Sequence, residues 1–290
     1  MNVGVVIVWY NPTKSQIENV YSLANTSELK ICIVDNSNDE NLFEKKTLSS
    51  KNISYIHNSN KGGIAGAFNR GINKLFAERT MKHIFTMDQD SELSEDYFLS
   101  MWKFVRDNNC EIACPNFYDR NSKTYGTFIN LTPFFYKAVN NGTTTFCISS
   151  GMIFSRKAWE ILGDFDERLI IDHVDTDYCL KANNHKVTIL VNYEQCLNHA
   201  IGERESHRIL GVTLKPNHHN YIRKYYIVRN GTYLALKYFK FSKGYFNLNI
   251  LRVIHETVCV ILYENDKIRK LSYMLRGLRD GIKGKLGAIK

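Results

Sequence analysis

Two carboxylates one residue apart close an apolar run in the segment His83-Ile84-Phe85-Thr86-Met87-Asp88-Gln89-Asp90-Ser91. The run predicts a short buried strand, and Ser91 to Ser94 predicts a turn into a helix. A strand ending in Asp-x-Asp carries both side chains to its C-terminal edge, where open α/β sheets bind ligands. Carboxylates this close repel unless a proton or a cation lies between them. A hard divalent cation shared with a phosphate-bearing substrate is the usual resolution, because Mg²⁺ takes one or two carboxylates plus phosphate oxygens. A solvated turn with an N-capping Asp or Ser is the plainer account of the tripeptide alone. Its meaning therefore depends on the rest of the chain.

Four further groups bear on it. Asp35-Asn36-Ser37 follows a second apolar run, where a carboxylate can accept hydrogen bonds from a base imide or a ribose hydroxyl; an Asx-turn capped by Ser37 explains it more simply. Gly62-Gly63-Ile64-Ala65-Gly66 lacks the spacing of both the dinucleotide and the Walker motifs. Its glycines still allow close backbone approach at a helix N-terminus that favours an anion, and turn glycines explain it equally well. Asp172, Asp175 and Asp177 crowd a loop-to-helix junction, where acids ordinarily complement the helix dipole. Asp177 is read as such a cap or as structural. Asp175 differs if its loop faces the Asp-x-Asp edge, since a carboxylate apart from the metal can take a proton from an attacking hydroxyl. His199 ends the last predicted strand; a structural role is the ordinary one, and a neutral imidazole beside two carboxylates would complete a Mg²⁺ or Mn²⁺ site.

The elements that must position these residues follow from periodicity. Val3 to Tyr10 is a continuous β-branched run, the mark of a central parallel strand. A helix follows Asn11-Pro12-Thr13, with Ile17, Val20, Tyr21 and Leu23 on one face. Lys30 to Val34 and Ile53 to His57 predict two more strands, separated by a polar loop or short helix up to Lys51. A helix opens at the Gly62–Gly66 segment, and another runs from about Glu95 to Arg106 after the Asp-x-Asp strand. The alternation gives a doubly wound nucleotide-binding half over about 1–107. Beyond it, Glu111–Pro115, Phe146–Phe154, Lys186–Val191 and Glu194–His199 predict strands, and Asn116–Thr145 an irregular hairpin with a loop. Short helices are predicted over Arg156–Leu162 and from Asp175-Thr176-Asp177, as caps, to about Asn183. From about His218 the chain is helical, broken near Ser242-Lys243-Gly244 and Asn265-Asp266.

Composition narrows the class. Hydrophobic residues at 44% and charged residues at 23% describe a folded globular chain, not a disordered one. The seven cysteines are scattered and lack a paired zinc spacing, which fits reduced core thiols in a cytosolic protein. The N-terminus lacks the basic region of a signal peptide, and no apolar run is expected to approach the roughly 20 residues of a membrane span. The net charge of +9 is uneven: residues 215–290 hold 16 Lys/Arg against 4 Asp/Glu, leaving 22 against 25 in the remainder. A solvated helical face and an amphipathic tail that docks on anionic lipid are both open readings of this basic region. Nucleic acid is not expected as a partner, because residues 1–214 are slightly acidic and carry no such motif.

The motifs also match a known family in order and spacing. Val-Val-Ile-Val-x-Tyr-Asn-Pro, Val-Asp-Asn-Ser, Asn-Lys-Gly-x-x-x-Ala-x-Asn-x-Gly-Ile and Met-Asp-Gln-Asp-Ser resemble the inverting family-2 glycosyltransferases of the GT-A fold. Ser150-Gly151-Met152, Gly163-Asp164-Phe165-Asp166-Glu167, Ile171 to Lys181, Asn198 to Gly202 and Arg223 to Asn230 resemble the bacterial rhamnosyltransferase branch, which builds O-antigen, capsule and related polysaccharides. The resemblance covers roughly 3–232. It implies an α/β GT-A fold with a mostly parallel sheet flanked by helices and a C-terminal helical extension. The implied division is a glycosyltransferase domain over 1–215, with a donor half of about 1–107 and an acceptor half of about 108–215, and a basic helical region over 216–290.

The same resemblance implies roles. Tyr10, Asn11, Asp35, Lys61, Gly62, Asp88 and Gln89 would belong to the donor site; Asp90, Asp88 and His199 would hold Mg²⁺ or Mn²⁺. Asp175 would be the general base, with Asp172 as a competitor because Val174 stands where the wider family has Glu. Lys181 replaces a more frequent Arg at the end of that helix, which weakens the case for a bidentate contact there. The implied reaction transfers L-rhamnose from dTDP-β-L-rhamnose, with inversion, to a lipid-linked saccharide acceptor. UDP-galactofuranose, UDP-galactose or UDP-N-acetylhexosamine is the alternative donor; a non-catalytic nucleotide-sugar or polysaccharide-binding protein is the remoter alternative. The expected location is cytoplasmic, peripheral at the inner face of the membrane.

Overall fold

The wholly apolar segment Val3–Trp9 forms strand β1 and is buried along its full length, as a strand covered on both faces must be. In the computed structural model, which describes residues 2–40, 52–91, 93–119, 124–199, 207–209 and 212–289, it lies between β2 (Lys30–Asp35) and β4 (His83–Asp88). Strand β3 (Ile53–His57) adds beyond β2, and all four run parallel. Past β4 the sheet continues through β10 (Met152–Ser155), β5 (Ile112–Asp119) and β11 (Ile189–His199) to β9 (Thr143–Thr144), with β6 (Thr124–Tyr125) on β5. Strand β10 is antiparallel to both neighbours, whereas β11 runs parallel to β5. Two small antiparallel pairs stand apart: β7 (Phe128–Leu131) with β8 (Tyr136–Val139), and β12 (His207–Ile209) with β13 (Val212–Leu214).

Alternation along β1 builds two cores. Val5, Ile7 and Trp9 pack toward α1 (Lys14–Thr26) and α3 (Glu95–Asp107), meeting Leu23, Phe98 and Met101. Val6 and Val8 face the opposite side with Phe68 and Ile72 of α2 (Gly63–Phe76). That second core also takes in α4 (Arg156–Leu162) and α5 (Val174–Asn184). Helix starts follow local chemistry: Thr13 and Gln16 form a capping box on α1, and the Ser94 side chain accepts from the Tyr97 N–H on α3.

Three helices close the chain: α6 (Tyr221–Lys237), α7 (Lys243–Tyr263) and α8 (Lys267–Ile282). A buried ion network ties them together. Lys224 Nζ of α6 meets Glu256 of α7 at 2.6 Å and Glu264 at 2.7 Å, and Lys270 of α8 reaches Glu264 at 2.7 Å. Each buried charge in it has an opposite partner, the condition for tolerating it away from water.

The α/β architecture and its helical extension agree with the sequence reading, and four local expectations change. Only Met152–Ser155 of the Phe146–Phe154 run is strand, because Ser149 to Gly151 forms a turn with Gly151 at φ +81°. Lys186–Val191 and Glu194–His199 are not two strands: Ile189–His199 is one, with a register shift between Asn192 and Cys196. Helix α5 starts from His173 in the left-handed region with no side-chain cap, so Asp175 and Asp177 lie inside its first turn. Finally, α7 is one helix of 21 residues with mean hydropathy 1.3, long and apolar enough to cross a membrane by length and composition. The loop or short helix expected up to Lys51 lies largely outside the described residues.

Candidate active site

Three adjacent strands deliver candidate side chains to one edge. Val8 pairs with Asp88 and Trp9 with Asp35 in the parallel register, so Tyr10, Asp35 and Asp88 sit together at the C-terminal ends of β1, β2 and β4. The Gln89 amide clamps β1 to this edge: its Oε1 accepts from the Tyr10 N–H at 2.7 Å, and its Nε2 donates to the Tyr10 carbonyl at 3.2 Å. The Tyr10 side chain stays exposed. Asn11, at φ +48°, donates its N–H to Ser37 Oγ at 2.7 Å. Asp35 is fully buried; Oδ1 accepts from the Ser37 N–H at 2.9 Å, an Asx-turn, and Oδ2 accepts from the Tyr55 hydroxyl at 2.6 Å.

The Asp-x-Asp turn is braced from β10. Ser150 Oγ accepts from the Asp88 N–H at 3.2 Å and lies 2.8 Å from Ser91 Oγ, while Thr86 Oγ1 donates to the Ser149 carbonyl at 2.6 Å. Asp90 is exposed at the tip, and Asp88 is partly buried. Within that carboxyl, Oδ1 is fully enclosed and has no hydrogen-bond partner. Burial, with the Asp90 and Asp175 charges adding to it, pushes Asp88 up to about 7. The Asp175 charge reaches Asp88, so the start of α5 lies within electrostatic range of the end of β4.

A strained loop brings it there. Ile170, Asp172 and His173 all have positive φ, between +59° and +67°, which bulky residues adopt only when their surroundings impose it. Helix α2 supplies one constraint: the Ile64 N–H donates to the Ile170 carbonyl at 3.2 Å. Gly63, at φ +62°, permits that contact, since a Cβ there would lie 2.0 Å from the Ile170 oxygen. Helix α6 supplies the others. Asn230 Nδ2 donates to the carbonyls of Leu169, Ile171 and Asp172 at 2.8–3.0 Å, and Arg229 donates to Arg168 and Leu169 carbonyls at 3.2 Å.

The three acids of this segment have separate surroundings. Asp172 receives a forked contact from Arg223, with Nε and Nη2 at 3.1–3.3 Å. Asp177 is fully buried against Lys237 Nζ at 2.7 Å and the Tyr238 hydroxyl at 2.9 Å, a structural role. Asp175 Oδ1 accepts from the Thr176 N–H at 2.6 Å, which leaves Oδ2 without a hydrogen bond among the described residues. Burial raises Asp175 above the ordinary carboxylate range, and the Asp172 charge adds to it against the Thr176 N–H. Lys181 Nζ donates to the Asp164 carbonyl at 2.6 Å.

The remaining candidates are placed less completely. The Lys61 carbonyl accepts from Asn58 and Arg70, and Gly62 is the left-handed N-cap of α2. His199 ends β11 at the same sheet edge as Asp88, with β10 and β5 between them; its side chain lies outside the described part. Among the described residues no group of three His, Cys, Asp or Glu could hold a metal. Two carboxylates suffice for a hard cation that takes its other ligands from a diphosphate and water. The enclosed, unpartnered Asp88 Oδ1 fits that use.

Comparison with known proteins follows the same lines. Residues 4–162 match the model for Glycosyl transferase family 2. The chain belongs to this family. Its relatives include the dTDP-rhamnosyl transferase RfbF of Shigella flexneri, 30% identical over 293 residues that cover 99% of this chain and 97% of that protein. The low-salt glycan biosynthesis hexosyltransferase Agl10 of Haloferax volcanii is 22% identical over 200 residues, 65% of this chain and 64% of that one. Among solved structures, S. aureus TarS superposes with a TM-score of 0.61 at 14% identity; it covers 98% of this chain, which spans about half (49%) of the TarS chain. A complex of TarS 1–349 with UDP gives 0.52 at 13% identity, covering 98% of this chain and 72% of that one.

For a family-2 enzyme, the sequence reading marked the segments Ser150-Gly151-Met152 and Arg223 to Asn230 but gave no role to residues in them that act through others. Ser150 braces the Asp-x-Asp turn, and Arg223, Arg229 and Asn230 hold the Asp172–Asp175 loop. The signal lay in a charged and an amide residue, Arg229-Asn230, interrupting the apolar pattern of a predicted helix.

Proposed function

We propose that the chain is an inverting, metal-assisted glycosyltransferase that moves L-rhamnose from dTDP-β-L-rhamnose to a lipid-linked saccharide of a growing cell-surface polysaccharide. One observation supports the reaction class: Asp88 and Asp90 close β4 at the sheet edge, and the charge of a separate carboxyl, Asp175 at the start of α5, reaches Asp88. Full-length similarity to a dTDP-rhamnosyl transferase supports the donor. The hexosyltransferase relative and the UDP complex of TarS support the alternative of a UDP-sugar. A non-catalytic binding protein has no need to retain all three acids.

In this reading, Tyr10, Asn11 and Asp35 line the nucleoside pocket, with Lys61, Gly62 and Gln89 on the donor side. Asp90 and Asp88, joined by His199, would hold Mg²⁺ or Mn²⁺. A divalent cation bound there neutralises charge on the departing nucleoside diphosphate. Asp175 Oδ2 accepts the proton of the acceptor hydroxyl as its oxygen bonds to the anomeric carbon and the bond to the diphosphate breaks. One base and one displacement from the opposite face give inversion, an α-L-rhamnoside from a β donor. Its raised pKa makes Asp175 a stronger base than a solvated carboxylate. Asp172 is less suited to that role because Arg223 holds both its oxygens.

The catalytic unit is taken as 1–215 and the helices as 216–290. Their outer surface suits a membrane: Ile250, Leu251, Ile254, Ile261 and Leu262 of α7 are 43–55% exposed, and Ile268, Leu275 and Ile282 of α8 more so. Arg269, Arg276, Arg279 and Lys283 lie on or beside the α8 stripe, as in helices that rest on anionic headgroups. The inner face of α7 carries Arg252, His255 and Glu256 and packs on α6, so α7 lies on the bilayer, at its cytoplasmic side, in preference to crossing it. The test is a donor screen by nucleoside diphosphate release, with and without Mg²⁺ or Mn²⁺. Asp175→Asn should lower turnover with the selected donor by about 10²–10⁴-fold with the fold intact; near-normal turnover would sink the assignment.

A further inference from the structure

Beyond α8 the chain returns to the loop that carries Asp175. The helix ends on a left-handed glycine, Gly284 at φ +64°, whose N–H donates to the Gly281 carbonyl while the Lys285 N–H donates to that of Asp280. That paired closure turns the chain out of the helix. Residues 284–289 then cross the surface without helix or strand; Leu286, Gly287 and Ile289 are half-buried, and Gly284, Lys285 and Ala288 are exposed. Leu286 packs against the core that holds Leu169 and Val174. The Gly287 N–H donates to the Arg168 carbonyl at 2.8 Å, and the Ile289 N–H to the Tyr226 hydroxyl at 2.9 Å.

The Gly287 carbonyl accepts from Arg229 Nη1. Arg229 is 1% exposed and has no ion pair among the described residues. Its other donors go to the carbonyls of Arg168 and Leu169 and to Asn230 Oδ1, and the Tyr225 and Tyr226 ring centres lie 5.5 and 4.7 Å from its Cζ. A buried guanidinium held by neutral oxygens alone depends on each of them, and on keeping out water that would compete. The front of the gripped turn, Glu167–Leu169, is anchored separately. Glu167 Oε1 accepts from Asn69 Nδ2 of α2 at 3.1 Å, and the Phe165 N–H donates to Asn69 Oδ1 at 2.9 Å. The rear, Arg168 and Leu169, is held by Arg229, Asn230 and Gly287. It leads through the positive-φ residues to Asp175. A strap with no regular structure and half its residues in solvent opens more readily than the elements beneath it.

We propose that residues 284–289 act as a clasp that positions Asp175, with Leu286 and Gly287 as its positioning residues. Closed, the clasp shields Arg229 and fixes the Arg168 and Leu169 carbonyls, so the strained loop keeps one conformation. Open, water reaches the guanidinium and competes with those carbonyls, and Asp175 loses its register with the Asp-x-Asp edge. The inference rests on Asp175 as the base of the preceding section and names what holds it. Because the Glu167 end is tied to α2, the donor side keeps its shape when the clasp opens.

Two full-length variants test it, Leu286→Asp and Gly287→Ala. The second adds a methyl with nothing within 4 Å, so it acts only through the backbone, which at φ +92° disfavours a side chain. In both, hydrogen exchange of the ligand-free protein should quicken about 10-fold or more over residues 167–175, with β1, β2 and β4 unchanged. With the donor that the screen selects, kcat should fall about 10- to 100-fold, as for a misplaced reacting group, while donor KM holds. Leu286→Met should restore both. Unchanged exchange over 167–175, faster exchange with unchanged kcat, or a loss carried wholly by donor KM would overturn the clasp. If the wild type transfers no sugar, the proposed reaction fails and the exchange alone decides whether the segment orders the loop. If it transfers sugar and both variants match it, the clasp fails and the reaction stands.

Discussion

Replacing Asp88 by Asn should stabilise the ligand-free protein above neutral pH while removing its activity. Asp88 Oδ1 is enclosed without a partner, and Asp90 and Asp175 add repulsion, so the carboxyl moves from 3.8 to about 7. A raised carboxyl binds its proton more tightly in the folded state. Its contribution is therefore whole below about pH 4 and is lost as pH rises through about 7. Roughly three pKa units at about 1.36 kcal/mol each give a ceiling of about 4 kcal/mol, and water reaching the partly buried group lowers it. At roughly 2–4 °C per kcal/mol for a chain near this size, a gain of several degrees at pH 8 follows. The assay is thermal melting of both proteins from pH 4 to 9 in chelator. The Asn variant should lead at pH 8 and lose its lead near pH 4. Mg²⁺ with a nucleoside diphosphate should narrow the gap at pH 8, because only the wild type gains fully from the pair. A gap that ignores pH, or an Asn variant that melts lower at pH 8, would refute the reasoning.

Further outcomes follow from the same geometry. Arg223→Ala strips Asp172 of its forked partner and should cost about 1–3 kcal/mol of stability, read by denaturant melts, together with a loss in kcat/KM. Arg223→Lys should recover little of it, since one ammonium cannot hold both oxygens in the same way. Gly63→Ala places a methyl 2.0 Å from the Ile170 oxygen at φ +62°, and should lower stability by more than about 1 kcal/mol; an unchanged melting temperature would contradict the close approach. Wild type should co-sediment with vesicles rich in phosphatidylglycerol in a salt-sensitive way, and the pair Ile261→Asp with Leu262→Asp should release it.

Much of the scaffold was legible because its signals are local. The uninterrupted apolarity of Val3–Trp9 marked a central strand, and Ser94 before Glu95 marked the start of α3. Asp35 and Asp88 were placed at one sheet edge by strand ends alone, and they share it. Breaks at Ser242–Gly244 and Asn265-Asp266 separated three helices correctly. Illegible features were tertiary. Nothing around Ser149 to Gly151 announces that the strand shortens there to brace the Asp-x-Asp turn. The left-handed start of α5 at His173 contradicts local propensity and exists because α2 and α6 impose it. Gln89 is spent on the Tyr10 backbone, a bond across 79 residues that no local pattern encodes. Helix α7 was passed over as a long apolar element because its Arg252, His255 and Glu256 interrupt the run while lying on one inner face.

The helical region also accounts for how a strained loop can hold Asp175 in place. Ile170, Asp172 and His173 each occupy backbone conformations costing on the order of 1–3 kcal/mol. Asn230 spreads its two N–H donors over three loop carbonyls and Arg229 Nη2 donates to two, one of them shared, each donated hydrogen worth about 1 kcal/mol net. The Arg223–Asp172 fork and the Gly63–Ile170 approach add to that total. Strain and restraint are thus of the same size, and nearly every restraint comes from α6. That helix is held in turn by the buried Lys224–Glu264–Lys270 network with α7 and α8. The Asp-x-Asp edge belongs to the sheet and would survive without these helices; the position of Asp175 would not. The last seventy residues are therefore part of the scaffold of the site, with an exposed apolar outer face.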